Sequence, residues 1–260
     1  MIDDVLSLLP NVRNFHLGGD EAWTFATHPK TRAYAETHGK SGLFLDYYKP
    51  LLEHLNGRGI RPILWHDMMK EWDDASLRRI GPGADLCVWA YNLYDRDAMP
   101  WLRPLTPREK RNPFPVLAGG GGPISDHLLR RFSRNGIRLW GSSSYKGGDG
   151  CDRDLPVADA RMDNMAIWGR LLETYDLRGI VVTGWSRSNT NQPQRVPIDG
   201  ALDLLAFGGL VLGKTDSART MAAANRLLKN LGEWERFAEC RELLRRLERP
   251  RVQRCERQFQ

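Results

Sequence analysis

Two adjacent acids, Asp20 and Glu21, directly follow Gly18 and Gly19 in the sequence. The apolar run before them predicts a β-strand over residues 12–17. Glycine lets the backbone turn sharply and approach a ligand closely. Neighbouring carboxylates oppose each other's ionisation, so one keeps a proton that it can donate while the other stays anionic. Asp-Glu pairs are also common on solvated surfaces, so the dipeptide alone does not distinguish a catalytic pair from a plain surface.

Short apolar runs alternate with helical patterns over residues 1–213. Further strands are predicted over residues 60–65, 84–91, 137–142 and 178–185, and helices over residues 41–58, 125–135, 157–175 and 197–213. Pro50 predicts a kink or break in the first helix, and a long loop containing Gly119–Gly122 follows the third strand to about residue 124. Helical spacing after residue 215 predicts a C-terminal helical appendage over residues 214–250 and a loose tail over residues 251–260.

Strands that alternate with helices are typical of a parallel sheet built from right-handed crossovers. Polar, aromatic or acidic residues follow several of these strands, which favours an α/β fold of the (β/α)8 TIM-barrel type, whose chemistry lies at the carboxyl ends of its strands. The sequence supplies five strands where such a barrel has eight. It therefore predicts a partial barrel over residues 1–213, about strands four to eight, and a doubly wound sheet stays open as an alternative.

The segment His16–Glu21 resembles the His-x-Gly-Gly-Asp-Glu signature of glycoside hydrolase family 20, the β-N-acetylhexosaminidases. Further segments resemble this family in order: Trp65–Met68, Val88–Tyr91 and, as in its hexosaminidase D branch, Trp140–Gly147 and Gly179–Arg187. The resemblance covers roughly residues 1–213. It implies a retaining exo-acting hydrolase whose substrate is a carbohydrate with terminal N-acetylglucosamine or N-acetylgalactosamine.

The family resemblance implies substrate-assisted catalysis, in which the 2-acetamido oxygen of the sugar attacks the anomeric carbon. Carried over by position, Glu21 protonates the leaving oxygen and later deprotonates the incoming water. Asp20 holds the acetamido N–H and faces the positive charge that develops.

Aromatic and polar residues near the predicted strand ends form a second set of candidates. Sugar C–H faces pack on aromatic rings, although a core position is the alternative for any single tryptophan. The expected substrate-binding residues are His16, Trp65, Asp67, Trp89, Tyr91, Trp140, Tyr145 and Trp185. Asp67 could hold a sugar hydroxyl or the acid/base network, Tyr91 could donate to the acetamido oxygen, and His16 could orient the carboxylates or be an ordinary buried histidine.

Three departures separate this sequence from the family pattern. About three strands precede the Gly-Gly-Asp-Glu strand in the family, whereas some ten residues precede it here, and the early-strand arginine has no counterpart. Ser142 and Ser144 occupy the place of the Tyr-x-Asp of strand seven, with Tyr145 as a substitute. Arg187 stands where many members carry an acid, so gluco or galacto preference is open. We expect a truncated chain, one that starts downstream of its true beginning, or one completed by another chain.

The composition excludes several classes of protein. The chain has 260 residues, of which 41% are hydrophobic, and no apolar run of about 18 residues, so a membrane span is not expected. The start of the chain predicts no secretory signal. Arginines and glutamates alternate near the C-terminus, which favours a solvated helix over a nucleic-acid site despite the net charge of +6. The scattered cysteines form no CxxC pair and favour a cytoplasmic protein with reduced thiols: Cys87, Cys151, Cys240 and Cys255. No cofactor motif is present, and the oligomeric state is unknown.

Two other functions are open at this stage. A barrel that lacks three strands exposes sheet edges, so the chain could be an inactive remnant or a carbohydrate-binding module that keeps the aromatic cleft. Alternatively, a metal site for hydrolysis could use His16, Asp20, Glu21, His66 and Asp67.

Overall fold

The computed structural model describes residues 1–9, 11–91, 127–147, 156–185, 198–213, 221–243 and 246. Its five strands are β1 (Asn14–His16), β2 (Arg61–Trp65), β3 (Asp85–Trp89), β4 (Leu139–Lys146) and β5 (Ile180–Gly184). They are neighbours in the order β1-β2-β3-β4-β5. The pairs β1–β2, β2–β3 and β4–β5 are parallel. The predicted α/β class is therefore confirmed, and all five predicted strands are present.

One helix precedes the first strand, and the others connect the strands or follow the last one. They are α1 (Ile2–Leu8), α2 (Pro29–Asn56), α3 (Asp74–Ile80), α4 (His127–Arg134), α5 (Ala158–Thr174), α6 (Leu202–Leu212) and α7 (Met221–Leu228). Short 3-10 helices precede α3 and α6, at Asp67–Met69 and Asp199–Ala201. Helical backbone also covers residues 234–243. None of the helices in the described ranges is long and apolar enough to cross a bilayer.

Two helices, α1 and α3, were not predicted from the sequence. Helix α3 has a recognisable start, because the Asp73 side chain accepts a hydrogen bond from the Ser76 N–H at 2.9 Å. Leu77 and Ile80 then supply its buried face. The predicted loop to about residue 124, with Gly119–Gly122, and the predicted tail over residues 251–260 lie outside the described residues.

The chain divides into two compact units, each described by itself below. Unit 1 comprises Met1–Trp89 and His127–Trp140, and unit 2 comprises Ala90–Asp126 and Gly141–Gln260. The division into a barrel ending at residue 213, a helical appendage and a tail stays a prediction.

The core of unit 1 forms where α2 packs on β2. Strands β2 and β3 are apolar on both faces, as expected for parallel strands that are covered on each side. Helix α2 contributes a row of buried residues at spacings of three and four: Phe44, Leu45, Tyr48, Leu52 and Leu55. This packing fixes the position of α2 relative to the turn that follows β1.

The predicted alternative of a break at Pro50 is wrong, and a kink there stays a prediction. Helix α2 passes through Pro50, and its non-helical residue is Gly39, with φ +76° and ψ +160°. A proline removes one backbone donor from a helix interior, and the buried face on both sides of Pro50 holds the helix together across that loss. Glycine adopts a positive φ without the steric penalty of a side chain, which explains why the break lies at Gly39.

A buried carboxylate joins the amino ends of three strands in unit 1. The Asp85 side chain is 2% exposed and accepts hydrogen bonds from Arg61 Nε at 2.7 Å and Arg138 Nε at 2.9 Å. Its second oxygen accepts from Trp140 Nε1 at 3.1 Å. Two cations and an indole thus compensate the cost of burying this charge, and the network fixes the end of the sheet opposite to the Gly-Gly turn.

The core of unit 2 lies between β4, β5 and α5 to α7. The buried side chains of this core come from all of these elements except β5: Tyr145, Ala158, Met165, Ala201, Leu204, Phe207, Val211 and Ala224. Partly buried Val182 of β5 packs against them. The helical stretch over residues 234–243 is joined to α6 by the buried ion pair between Arg241 Nε and Asp203 Oδ2 at 3.1 Å.

Candidate active site

The turn after β1 positions the acidic pair. Gly18 and Gly19 have φ values of +74° and +89°. His16 Nδ1 accepts a hydrogen bond from the Gly18 N–H at 3.0 Å, which closes the turn on the strand before it. A Cβ atom at Gly19 would lie 2.6 Å from the Tyr48 hydroxyl oxygen. Glycine is therefore required at residue 19 by both conformation and space.

Asp67 holds the acidic pair from the next strand. Its Oδ2 accepts a hydrogen bond from the backbone N–H of Glu21 at 2.8 Å. Its Oδ1 accepts from the Trp89 indole N–H at 3.3 Å. Asp67 opens the 3-10 helix that follows β2, and Trp89 is the last residue of β3. One carboxylate therefore connects the carboxyl ends of three neighbouring strands of unit 1.

The surroundings of Glu21 raise the proton affinity of its carboxyl group. Desolvation raises the pKa of Glu21, and the negative charges of Asp20 and Asp67 raise it further. Burial also raises the pKa of Asp67, against the hydrogen bonds from Glu21 and Trp89 that lower it. Glu21 itself has a φ of +48°, a conformation that costs a non-glycine residue energy and that the Asp67 hydrogen bond helps to hold.

His16 is a neutral imidazole in this arrangement. Burial lowers its pKa to about 4. Because Nδ1 accepts the Gly18 N–H, the ring proton lies on Nε2, a buried atom that has no hydrogen-bond partner among the described residues. The ring packs against Trp65 with centroids 4.2 Å apart. His16 thus supports the turn without adding positive charge beside the carboxylates.

This part of unit 1 can perform acid/base chemistry on a ligand held next to the turn. Glu21 is exposed and has a raised pKa, while Asp20 is half-buried on the same turn. A proton donor beside a second carboxylate is the arrangement that lets one group protonate a leaving atom while the other faces developing positive charge. Two tryptophans lie at the ends of β2 and β3, the buried Trp65 and the half-buried Trp89.

Two further predicted site residues lie together in unit 2. The rings of Tyr91 and Trp185 have centroids 6.4 Å apart. Trp185 directly follows β5 and is 40% exposed, whereas Tyr91 is 7% exposed. The Trp185 N–H donates to the Lys146 carbonyl at 3.0 Å, which places Trp185 at the carboxyl end of β4. A partly exposed aromatic pair therefore lies where β5 ends.

Trp140 lies away from the carboxyl end of its strand. The predicted end of this strand at residue 142 is wrong, because β4 continues to Lys146 and Trp140 is its second residue. Its indole N–H is bound to Asp85, at the amino end of β3. The Trp140 indole therefore belongs to the hydrogen-bond network around Asp85, and its expected substrate-binding role stays a prediction.

Tyr145 faces the helix layer of unit 2. Residues of a strand alternate between the two faces of a sheet. Ser143 donates to Asn164 of α5 at 2.6 Å, and a Cβ at Gly141 would meet the Trp168 ring of α5 at 2.5 Å. Tyr145, two residues further, packs in the core with Ala158 and the other residues of that cluster. The expected role of Tyr145 as a substitute site residue stays a prediction.

One residue of the site was missed by the sequence analysis. Tyr48 of α2 lies against Gly19 and within electrostatic reach of Asp20. Its spacing from Phe44 and Leu52 places it on the buried face of α2. That signal is available in the sequence, but it does not reveal that the buried face meets the Gly-Gly turn.

The metal alternative finds no support among the described residues. Within those ranges no three His, Cys, Asp or Glu side chains are grouped so that they could hold a metal ion. His66 is fully buried, edge-on to Trp89 and Phe132 with centroid distances of 5.7 and 6.1 Å. It is therefore packed in the core of unit 1.

Comparison with known proteins identifies two similar sequences. The chain is 24% identical over 201 residues to hexosaminidase D of Bos taurus, which covers 72% of this chain and 50% of that protein. It is 25% identical over 226 residues to hexosaminidase D of Homo sapiens, which covers 80% of this chain and 41% of that protein. No protein-family model matches the chain.

The chain spans half or less of the length of these curated relatives. The similarity extends over most of the chain itself. The chain is thus similar, at low identity, to proteins named hexosaminidase D.

Proposed function

We propose that this chain is a retaining exo-β-N-acetylhexosaminidase of glycoside hydrolase family 20, with a catalytic fold of the (β/α)8 type. The observation that carries the proposal is the position of Glu21. Its backbone is held by Asp67, and two neighbouring carboxylates and desolvation raise its pKa. The similarity to hexosaminidase D proteins supports the substrate class, a carbohydrate with terminal N-acetylglucosamine or N-acetylgalactosamine.

In the first step, Glu21 gives its proton to the glycosidic oxygen as the bond from that oxygen to the anomeric carbon breaks. The acetamido oxygen of the sugar forms a new bond to the anomeric carbon and closes an oxazolinium-like ring. Asp20 accepts a hydrogen bond from the acetamido N–H and faces the positive charge of this ring.

In the second step, the Glu21 carboxylate takes a proton from water, and the water oxygen attacks the anomeric carbon. The bond to the acetamido oxygen breaks, which restores the acetamido group and returns Glu21 to its protonated form. Two inversions at the anomeric carbon give net retention of configuration.

We assign the contacts to the sugar near the carboxylates to side chains of unit 1. Trp65 packs against His16, and Trp89 donates its indole N–H to Asp67. For unit 2 by itself, carbohydrate contact by the aromatic pair of Tyr91 and Trp185 stays a separate prediction. Aromatic rings with a polar edge suit a ligand that has both apolar C–H faces and hydroxyl groups.

The first test uses chromogenic N-acetyl-β-glucosaminide and N-acetyl-β-galactosaminide beside the matched sugars that lack the acetamido group. Only the acetamido sugars should be turned over, because only they carry the internal nucleophile. Equal turnover of the sugars without an acetamido group would contradict the substrate-assisted mechanism. Folded protein that binds N-acetylglucosamine without turnover would favour a carbohydrate-binding module or an inactive remnant.

The second test replaces the proton donor. Glu21→Gln should lower kcat on an unactivated hexosaminide by about 10²- to 10⁴-fold, the usual contribution of a positioned acid/base group. Glu53→Gln, on the exposed surface of α2, is the matched control and should keep wild-type turnover. Wild-type turnover by Glu21→Gln would remove Glu21 from the proposed mechanism.

A further inference from the structure

Tyr48 lies in an aromatic cluster beneath the Gly-Gly turn. The residue is 8% exposed and belongs to the buried face of α2. Its ring packs against Phe44 with centroids 4.5 Å apart and meets the edge of Tyr47 at 5.1 Å. Phe44 in turn packs edge-on against Trp72 at 5.3 Å. The neighbouring aromatic rings therefore hold the Tyr48 ring from one side and restrict its rotation.

The phenolic end of Tyr48 points at the backbone of the turn. A Cβ atom at Gly19 would lie 2.6 Å from the hydroxyl oxygen and 3.3 Å from Cζ. Gly19 directly precedes Asp20, and the negative charge of Asp20 is among the causes that raise the pKa of Tyr48, after desolvation and the neighbouring Tyr47. The hydroxyl and the Asp20 carboxylate are thus near neighbours.

Neither group uses its hydrogen-bonding capacity elsewhere. In the described ranges, neither the Tyr48 hydroxyl nor the Asp20 carboxylate forms a hydrogen bond, whereas Asp67 accepts two. Largely buried phenols normally find a partner for their O–H. An unused donor near an unused anionic acceptor is a pair suited to form a hydrogen bond with each other.

We propose that Tyr48 is a positioning residue of this site: its ring supports the Gly19 turn, and its hydroxyl donates a hydrogen bond to the Asp20 carboxylate. This bond fixes the orientation of Asp20 and leaves its second oxygen available for a ligand N–H. The inference rests on the proposed function for the identity of that ligand, an acetamido sugar. The contact between Tyr48 and Asp20 is tested separately below.

The kinetic test is Tyr48→Phe, which keeps the ring against Gly19 and Phe44 and removes only the hydroxyl. We expect kcat on N-acetyl-β-glucosaminide to fall roughly 3- to 10-fold, as for loss of one hydrogen bond that acts on the transition state, with little change in KM. The thermal midpoint should stay near that of the wild type. Tyr47→Phe, the exposed neighbour on the same helix, is the control and should keep wild-type kcat. Unchanged kcat in Tyr48→Phe would overturn the proposal.

A second measurement does not depend on activity. The chain is labelled with ¹³C at tyrosine Cζ, and the Tyr48 signal is assigned by its absence in Tyr48→Phe. Removing the charge in Asp20→Asn should lower the pKa of Tyr48, whereas Glu53→Gln should leave it unchanged. An unchanged Tyr48 titration in Asp20→Asn would overturn the proposed contact even in an active enzyme. A shifted titration in a chain that turns over no sugar would support the contact and reject the proposed activity.

Discussion

Asp67 combines two tasks that are usually divided among several residues of a site. Through one oxygen it holds the backbone of Glu21, and through the other it holds the Trp89 indole. Its charge also raises the pKa of Glu21, together with Asp20 and desolvation. Since Asp67 lies after β2 and Glu21 after β1, the proton affinity of the proposed acid depends on the pairing of these two strands.

The variant Asp67→Asn tests the effect of the Asp67 charge on the pKa of Glu21. Removing one negative charge should lower the pKa of Glu21, so the proton donor is lost at a lower pH. We therefore expect the basic limb of the profile of kcat/KM against pH to move to lower pH. The measurement is a set of profiles for wild type, Asp67→Asn and the surface control Glu53→Gln. A basic limb that stays in place, or moves to higher pH, would contradict the assignment.

At the scale of elements, the site depends on the contact between α2 and the turn after β1. Helix α2 presents Tyr48 to Gly19. Two backbone N–H groups of the turn donate hydrogen bonds that hold it, Gly18 to His16 Nδ1 and Glu21 to Asp67 Oδ2. The helix reaches this position because its buried face packs on β2, which pairs directly with β1. A change at Gly19 should therefore disturb both the conformation of the turn and the packing of the helix.

Gly19→Ala should destabilise the protein more than Gly59→Ala does. Both glycines have positive φ values, +89° and +72°, but a Cβ at Gly59 has no atom within 4 Å. Gly59→Ala thus measures the conformational cost alone, about 1–2 kcal/mol, and Gly19→Ala adds an overpacking cost of about 1–3 kcal/mol. Urea unfolding gives both values.

The double variant Gly19→Ala/Tyr48→Phe tests the cause of this difference. Without the hydroxyl oxygen at 2.6 Å, the nearest ring atom is Cζ at 3.3 Å. Part of the stability lost in Gly19→Ala should therefore be recovered. Equal losses for Gly19→Ala and Gly59→Ala, or no recovery in the double variant, would show that Tyr48 does not press against the turn.

At the scale of the whole molecule, buried histidines couple folding to pH. His66 is fully buried, and desolvation lowers its pKa to about 3, with the Lys70 charge acting in the same direction. An unfolded histidine titrates near pH 6.5. Between these values the unfolded chain binds more protons than the folded chain, so the free energy of unfolding falls as the pH falls from about 6.5 towards 3. His16, with a pKa of about 4, acts in the same direction.

The variant His66→Gln should weaken the dependence of the free energy of unfolding on pH. The slope of the free energy of unfolding should decrease by up to ~1.4 kcal/mol per pH unit between pH 6 and 4, the value for one proton taken up on unfolding. Urea unfolding at several pH values measures it for wild type, His66→Gln and the exposed control His28→Gln. The same slope in all three proteins would mean that His66 does not stay neutral in the folded chain.

The sequence reveals most elements because their signals are local. All five strands and the helices at α2, α4, α5 and α6 follow from apolar runs and helical spacing. The predictions of individual elements were wrong where the same local sequence pattern is compatible with two structures. Helix α2 continues through Pro50 because its apolar face continues past that residue. Strand β4 runs beyond residue 142 because the buried hydroxyls of Ser142, Ser143 and Ser144 all have hydrogen-bond partners.

Local sequence signals predict the α/β class, the order of the elements and the acidic pair at the end of β1, since adjacent residues and short periodicities carry this information. Which distant side chains meet depends on the three-dimensional packing. It brought Asp67 to the Glu21 backbone and Tyr48 to Gly19, and it directed Trp140 to Asp85. These contacts depend on strand register and on the face that each residue presents. A shift of one position in a strand reverses that face, so no local pattern could specify them.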